Sequence, residues 1–221
     1  MTNQLGIVAR LASALQKLMT GASPQLGADC LLHAQMAQTL LDQEGVPTRL
    51  VLGEAAWRVG PGDGDVITHS PNVGGFAPQG AKALAYHAWL ESGTKIIDFS
   101  THSLRTKAAQ LDAFDGGKTA VEWCPPYLVL ERAQSLTLKE VAQADSAGVA
   151  CYQEIPGLRE FMIEQCLVKE VDAGNLQLLR LVFDQPEIKV FGPNNRHDCD
   201  ELVEQALKSK QSHGGGGTWI C

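Results

Sequence analysis

The sequence predicts an α+β fold in which a nucleophile-bearing helix packs on an antiparallel sheet, with extra helices towards the C-terminal end. Three observations carry this. Two helical patterns open the chain back to back, over Leu5–Met19 and from Cys30 to Leu41. Short runs rich in branched and aromatic residues follow at Val46–Gly53, Ala83–Glu91 and Lys95–Phe99, the last two joined as antiparallel neighbours by the turn dipeptide Ser92-Gly93. Further helical patterns gather after residue 150.

In the first helix Leu5, Val8, Leu11, Leu15 and Met19 recur at helical spacing. Before the second, Pro24 and Gly27 break the chain, and Asp29 is the expected N-cap. Gly45 is the expected stop. Cys30, Leu32, Ala34, Met36, Ala37, Leu40 and Leu41 fill one broad arc, with Leu31 the exception. An arc that wide belongs to a largely buried helix. Cys30 lies in line with Ala34, Ala37 and Leu41, and the small alanines let a sheet approach closely.

Val46–Gly53 reads as a strand entered through Pro47. Arg58–Gly80, crowded with Gly, Pro, Asp and Asn, reads as one long loop, either a lid bordering the Cys30 cleft or plain disorder. If Ser92-Gly93 is the two-residue turn, Glu91 faces Thr94, Trp89 faces Ile96 and His87 faces Asp98. Directly opposed residues have Cβ atoms ~5 Å apart on one face. The ladder thus sets an imidazole beside a carboxylate. Ala88 and Ile97, with Tyr86 and Phe99, turn to the other face.

Beyond Ser100, the expectations are a helix over Ser103–Ala113, a turn at Asp115-Gly116-Gly117, a strand over Tyr127–Arg132 and a helix over Thr137–Gln143. Thr137 and Glu140 form a capping box for that helix. Helices are expected over Leu158–Glu170, Ala173–Phe183 and Asp200–Lys208, and a strand over Glu187–Phe191. The expected organisation is a core over residues 1–150 and a helical extension over 151–221 packed on it, with a flexible Gly-rich stretch at Ser212–Gly217.

Composition narrows the function. The chain has 221 residues, is 44% hydrophobic and carries a net charge of -7. Negative charge argues against nucleic acid and anionic membrane surfaces as partners. No apolar run reaches the ~20 residues of a membrane helix, and Arg10 and Lys17 interrupt Leu5–Met19 as a secretory segment. That segment is basic and free of acid until Asp29, as transit peptides are, but a first helix on the domain is the expectation. The six cysteines form no C-x-x-C pair, so zinc-ribbon and thioredoxin readings lack support. Reduced thiols in the cytoplasm are the default expectation.

A thiol at a helix N-terminus sits among unpaired N–H groups at the positive end of the helix dipole, which favours thiolate. The plain alternative is a buried structural cysteine. Added to His87 and Asp98 on adjacent strands, Cys30 completes a thiol-nucleophile triad: attacking sulfur, proton-holding imidazole, orienting carboxylate.

Asp29-Cys30 opens an Ala/Leu-rich helix. Glu44-Gly45-Val46-Pro47-Thr48-Arg49 then runs into Leu50-Val51-Leu52-Gly53. Tyr86-His87-Ala88-Trp89-Leu90-Glu91 follows, then Ile96-Ile97-Asp98-Phe99-Ser100. In this order the motifs resemble the transglutaminase-like branch of the papain-like cysteine enzymes, over about Gln25–Arg105. The resemblance implies a papain-like/transglutaminase-like fold, Cys30 as nucleophile, His87 as base and Asp98 as its orienting acid. It implies no cofactor, and a peptide or small amide or acyl compound as substrate. The backbone N–H of Cys30 is the first oxyanion donor expected. Gln25, Trp57 or a backbone group are candidates for the second, and Trp89 reads as a core or cleft-wall aromatic. No calcium-binding sequence accompanies these motifs, and nothing after Arg105 shares the resemblance.

Two other classes stay open. One is a metal-dependent hydrolase using Cys30, His33, His87 and Asp98. The other is a non-catalytic binding domain of the same fold. His33 otherwise reads as a core histidine. His197, Asp198, Cys199, Asp200 and Glu201 read as a helix start capped by Asp198 rather than a metal site. His69 and His102 have no partner signature.

Overall fold

The computed structural model describes residues 2–71, 85–165, 168 and 170–196. Helix α1 spans Thr2–Ala22 and α2 spans Cys30–Gln43. Gly45, at φ +72°, turns the chain out of α2 as expected. The sheet strands are β1 (Arg49–Arg58), β2 (Val66–His69), β3 (His87–Ser92), β4 (Lys95–Asp98), β5 (Leu128–Glu131) and β6 (Ala150–Glu154). Helices α3 (Leu104–Asp115), α4 (Leu138–Gln143), α5 (Leu158–Glu164) and α6 (Ala173–Asp184) follow, with single 3-10 turns at Thr101–Ser103 and Arg132–Gln134. The result is α+β, with one six-stranded antiparallel sheet.

β1 is the axis of this sheet. Gly53 pairs with both His87 and Glu154, and Ala55–Trp57 pair with both β2 and β6. A strand has two edges, so β3 and β2 share one edge of β1 in succession and β6 takes the other. With neighbours all round, every β1 residue except Arg49 is buried. Its side chains alternate between two cores. Leu50 and Leu52 join Ala88, Leu90 and Ile97 beneath α1, α2 and α6. Val51, Ala55 and Trp57 join Trp89, Ile96 and Tyr152 on the opposite face, where α3 adds Leu104 and Ala108. In the helical layer Leu11, Leu15, Leu41, Leu179 and Phe183 are fully buried, each stabilising the fold by about 1.5–3 kcal/mol.

Several expectations are corrected. Arg58–Gly80 is not one loop: β1 runs to Arg58 and β2 returns along it, with Ala55 opposite His69. The Gly and Asp residues that suggested a loop belong to the connection between them. Residues 72–80 of that stretch lie outside the described residues. The helix expected over Leu158–Glu170 is shorter, ending at Glu164. Glu187–Phe191 forms no strand. Ile188 and Val190 pack on the helical core, and the backbone carbonyls of Pro186, Ile188 and Val190 accept from Lys17 and Asn195 side chains instead of a neighbouring strand. β6 was not expected, because Ala150–Glu154 is short and has no sustained alternation. It pairs with β1, so the boundary expected at residue 150 falls inside the central sheet. The helix expected over Asp200–Lys208, the His197–Glu201 cluster and the Gly-rich stretch lie outside the described residues. No described helix is long and apolar enough to cross a membrane.

The Thr137 box is present: Glu140 N–H donates to Thr137 Oγ1 at 3.2 Å, and Thr137 N–H donates to Glu140 Oε2 at 2.8 Å. Asp29, by contrast, does not cap α2 with its side chain. Its Oδ2 accepts from Ser23 Oγ at 2.5 Å and lies 3.6 Å from His33 Nε2. The first-turn amides of α2, that of Cys30 among them, are therefore not taken up by this carboxylate.

Candidate active site

The β3–β4 turn decides how histidine and aspartate meet. Its two turn residues are Gly93 and Thr94, with Ser92 opposite Lys95 and Leu90 opposite Ile97. Gly93 stands first in the turn at φ +59°, the place where a two-residue hairpin turn favours glycine. The register expected from Ser92-Gly93 is therefore displaced by one turn residue, and His87 and Asp98 are not directly opposed. Moving the turn by one residue shifts the pairing by two, which keeps both side chains on the same face. Asp98 lies diagonal to His87, within reach across the ladder. His87 Nε2 and Asp98 Oδ2 are 2.9 Å apart, with side chains 1% and 0% exposed.

Asp98 is fully engaged. Oδ1 accepts from Ser100 N–H and Ser100 Oγ–H, each at 2.8 Å. Oδ2 accepts from Tyr152 Oη–H at 2.7 Å as well as facing His87. Trp57 Nε1–H in turn donates to Tyr152 Oη at 2.8 Å. Three strands thus hold one carboxylate. Gly53 helps to make room: a Cβ there would collide with the Gln153 carbonyl oxygen and lie 2.8 Å from Trp89 Cη2.

Burial alone would lower the His87 pKa, but the Asp98 carboxylate and Cys30 outweigh it and raise it to about 10. Burial would likewise raise Asp98, but His87 and the hydrogen bonds from Ser100 and Tyr152 hold it down at about 2. The pair is an imidazolium–carboxylate pair. Three neighbouring imidazoles behave oppositely. Burial lowers His69 to about 3, with His87 and Lys107 adding to it. Burial lowers His33 to about 4 although Asp29 opposes it. His102 is lowered by burial, against its hydrogen bond to the Phe99 carbonyl.

Cys30, 8% exposed, heads α2 and lines a narrow cleft with His87, Trp57, His69, Ser100 and Lys107. The cleft encloses about 10 Å³, room for about one water. The indole of Trp57 stands edge-on to His87, ring centres 4.7 Å apart. With Nε2 committed to Asp98, His87 Nδ1 is buried away from every oxygen and nitrogen partner, and the Cys30 sulfur acts on the ring by charge and by hydrogen bonding. The three sequence-predicted residues therefore meet at one place.

The supporting candidates divide. Trp57 lines the cleft, but its N–H is spent on Tyr152, so it is not free to serve an oxyanion. Trp89 is a buried core ring, stacked 6.2 Å from His87, with no hydrogen bond from its N–H. Gln25 is exposed and does not line the cleft. His33 is buried in α2 with neither nitrogen hydrogen-bonded. Among the described residues no three His, Cys, Asp or Glu side chains converge as metal ligands. Asp98 has no oxygen free for one.

Tyr152, His69 and Lys107 were not singled out. Tyr152 and Lys107 carry no local signal, since each reaches the site from an element distant in sequence. Ser100 had one: a carboxylate accepting from the backbone two residues on is a recognisable local turn. His69 lies inside the stretch expected to border the cleft, and it does line it.

No family model matches the chain, and no curated protein matches it. A solved structure described as "The crystal structure of genomics APC5867" superposes with a TM-score of 0.50, covering 85% of this chain and 80% of that one, at 12% identity. At that identity the likeness concerns the fold alone, an α+β arrangement.

Proposed function

We propose that the protein is a cysteine acyl-transfer enzyme of the papain-like, transglutaminase-like kind, working through a thioester on Cys30. The observation that carries this is the buried His87–Asp98 pair, with His87 Nδ1 left open beside Cys30 in one cleft. In the reactive form His87 already holds the proton as imidazolium, and Cys30 Sγ attacks the substrate carbonyl carbon as thiolate. The carbonyl oxygen gathers negative charge, which the uncapped amide of Cys30 is placed to receive. His87 then delivers the proton to the departing amine or alcohol, leaving the Cys30 thioester. Water or an amine resolves it, giving hydrolysis or transfer, with His87 again taking the proton. Asp98 keeps the ring oriented and supports its charge, and Tyr152 and Ser100 hold Asp98. The substrate is a peptide or a small amide or acyl compound, no cofactor enters the steps, and the reduced thiol suits the cytoplasm.

The test is intact mass after incubation with a panel of activated acyl donors and electrophilic peptide probes. One adduct per chain is expected at Cys30, and none in Cys30→Ala, which removes little volume and leaves the melting curve near that of the wild type. A chain that folds but takes no adduct from any probe, or a Cys30→Ala chain that still takes one, would leave a binding domain in place of an enzyme.

A further inference from the structure

We propose that the acyl group delivered to Cys30 carries a carboxylate, and that Lys107 is the residue that recognises it; this rests on the nucleophile reading of Cys30. Lys107 lies in the first turn of α3 and lines the cleft with Cys30. It is half-buried there, and among the described residues no carboxylate pairs with it. Arg49, Arg132 and Arg180, more open to water, each reach carboxylates. Asp29 also borders the cleft, but its Oδ2 is bonded to Ser23 and faces His33.

Burial disfavours the Lys107 ammonium, and the group that opposes this is Cys30. Its electrostatic partner is thus the sulfur that reacts. On the nucleophile reading the sulfur reacts as thiolate, and once it is a thioester it carries no charge. The ammonium is then left partly desolvated and unpaired, which costs free energy. A carboxylate on the acyl group restores the lost charge at the same place. Among the described residues lining the cleft no other group takes this role: Asp98 is saturated by its own donors, His69 is neutral, and Asp29, although its Oδ1 accepts no hydrogen bond, forms no ion pair with Lys107. Trp57 and Leu104 on the walls limit hydration and strengthen the attraction.

The experiment compares iodoacetate with iodoacetamide, two small reagents of nearly equal shape that differ in charge. In both, the Cys30 sulfur displaces iodide, and the rate is read on the Cys30 peptide by mass spectrometry. The iodoacetate-to-iodoacetamide rate ratio, relative to free cysteine, should be about tenfold higher in the wild type than in Lys107→Gln, for one charge pair at a part-buried site. Lys107→Arg should keep most of that ratio. An unchanged ratio in Lys107→Gln overturns the assignment. So does an equal fall in both rates, which would make Lys107 a support for the thiolate rather than a reader of the substrate. If neither reagent alkylates Cys30 of the folded wild type, the nucleophile reading fails and this assignment falls with it.

Discussion

Leu50, Leu52, Ala88, Leu90 and Ile97 turn to one face of the sheet, under α1, α2 and α6. Val51, Trp57, Trp89 and Tyr152 turn to the other, where His87 and Asp98 also lie. The first face is aliphatic and asks only for volume and close approach, so a truncation there costs packing but leaves no polar group unsatisfied. The second holds charged and hydrogen-bonding groups, each of which needs its partner in place. Removing one member there leaves another buried and unsatisfied. The same sheet therefore serves stability on one side and chemistry on the other. Cys30 joins them, heading a helix of the aliphatic side while lining the cleft of the polar side.

The strongest test of this contrast is Asp98→Asn. The carboxamide keeps the shape but not the charge that supports His87. The rate of Cys30 acylation in a single turnover should fall about 10²–10⁴-fold, by analogy with loss of the orienting acid in other triads. A rate within a few-fold of wild type would mean that the pair is structural.

Leu90→Ala probes the other face, since Leu90 is fully buried on the helical side. It should cost about 2–5 kcal/mol in a denaturant titration, while the acylation rate of the folded fraction stays within about twofold of wild type. A large rate loss with little change in stability would dissolve the division between the faces.

The smallest effect is in pH. The His87 pKa is raised in the fold, from 6.5 to about 10. Its stabilising contribution is therefore fully present below pH 6.5 and is lost as the pH rises through about 10. The stability gap between wild type and His87→Gln should be widest near pH 6 and should narrow towards pH 10, measured by denaturant midpoints. Leu90→Ala, which carries no charge change, should run parallel to wild type across that range. A His87→Gln gap that is flat in pH would contradict the charged pair.

Much of the scaffold was legible. The α2 helix begins at Cys30 and ends at Gln43, just before Gly45, as the apolar arc and the glycine stop indicate, although Asp29 does not cap it with its side chain. The shared face of His87 and Asp98 survived an error in the turn, because alternation in a strand tolerates an even displacement. Hidden from the sequence were β6, the return of β2 along β1, and the absence of a strand around Ile188, where the chain turns back on Gln185. Each depends on which segments become neighbours. Apolar alternation reports that a segment is extended, not whether another strand lies beside it.

Local signals in the chain are enough to specify the helix that carries the sulfur, the pair of strands that carries imidazole and carboxylate, and the face on which those two lie. These follow from caps, turns and periodicities that act over a few residues. Folding in space is what brings Tyr152 to Asp98, spends Trp57 on Tyr152, keeps His69 neutral and, among the described residues, leaves Lys107 without a carboxylate partner in the cleft of Cys30. Hydrogen bonding, desolvation and charge pairing depend on distance in space. The residues involved come from β1, β2, α3 and β6, and no local pattern records that folding brings them together.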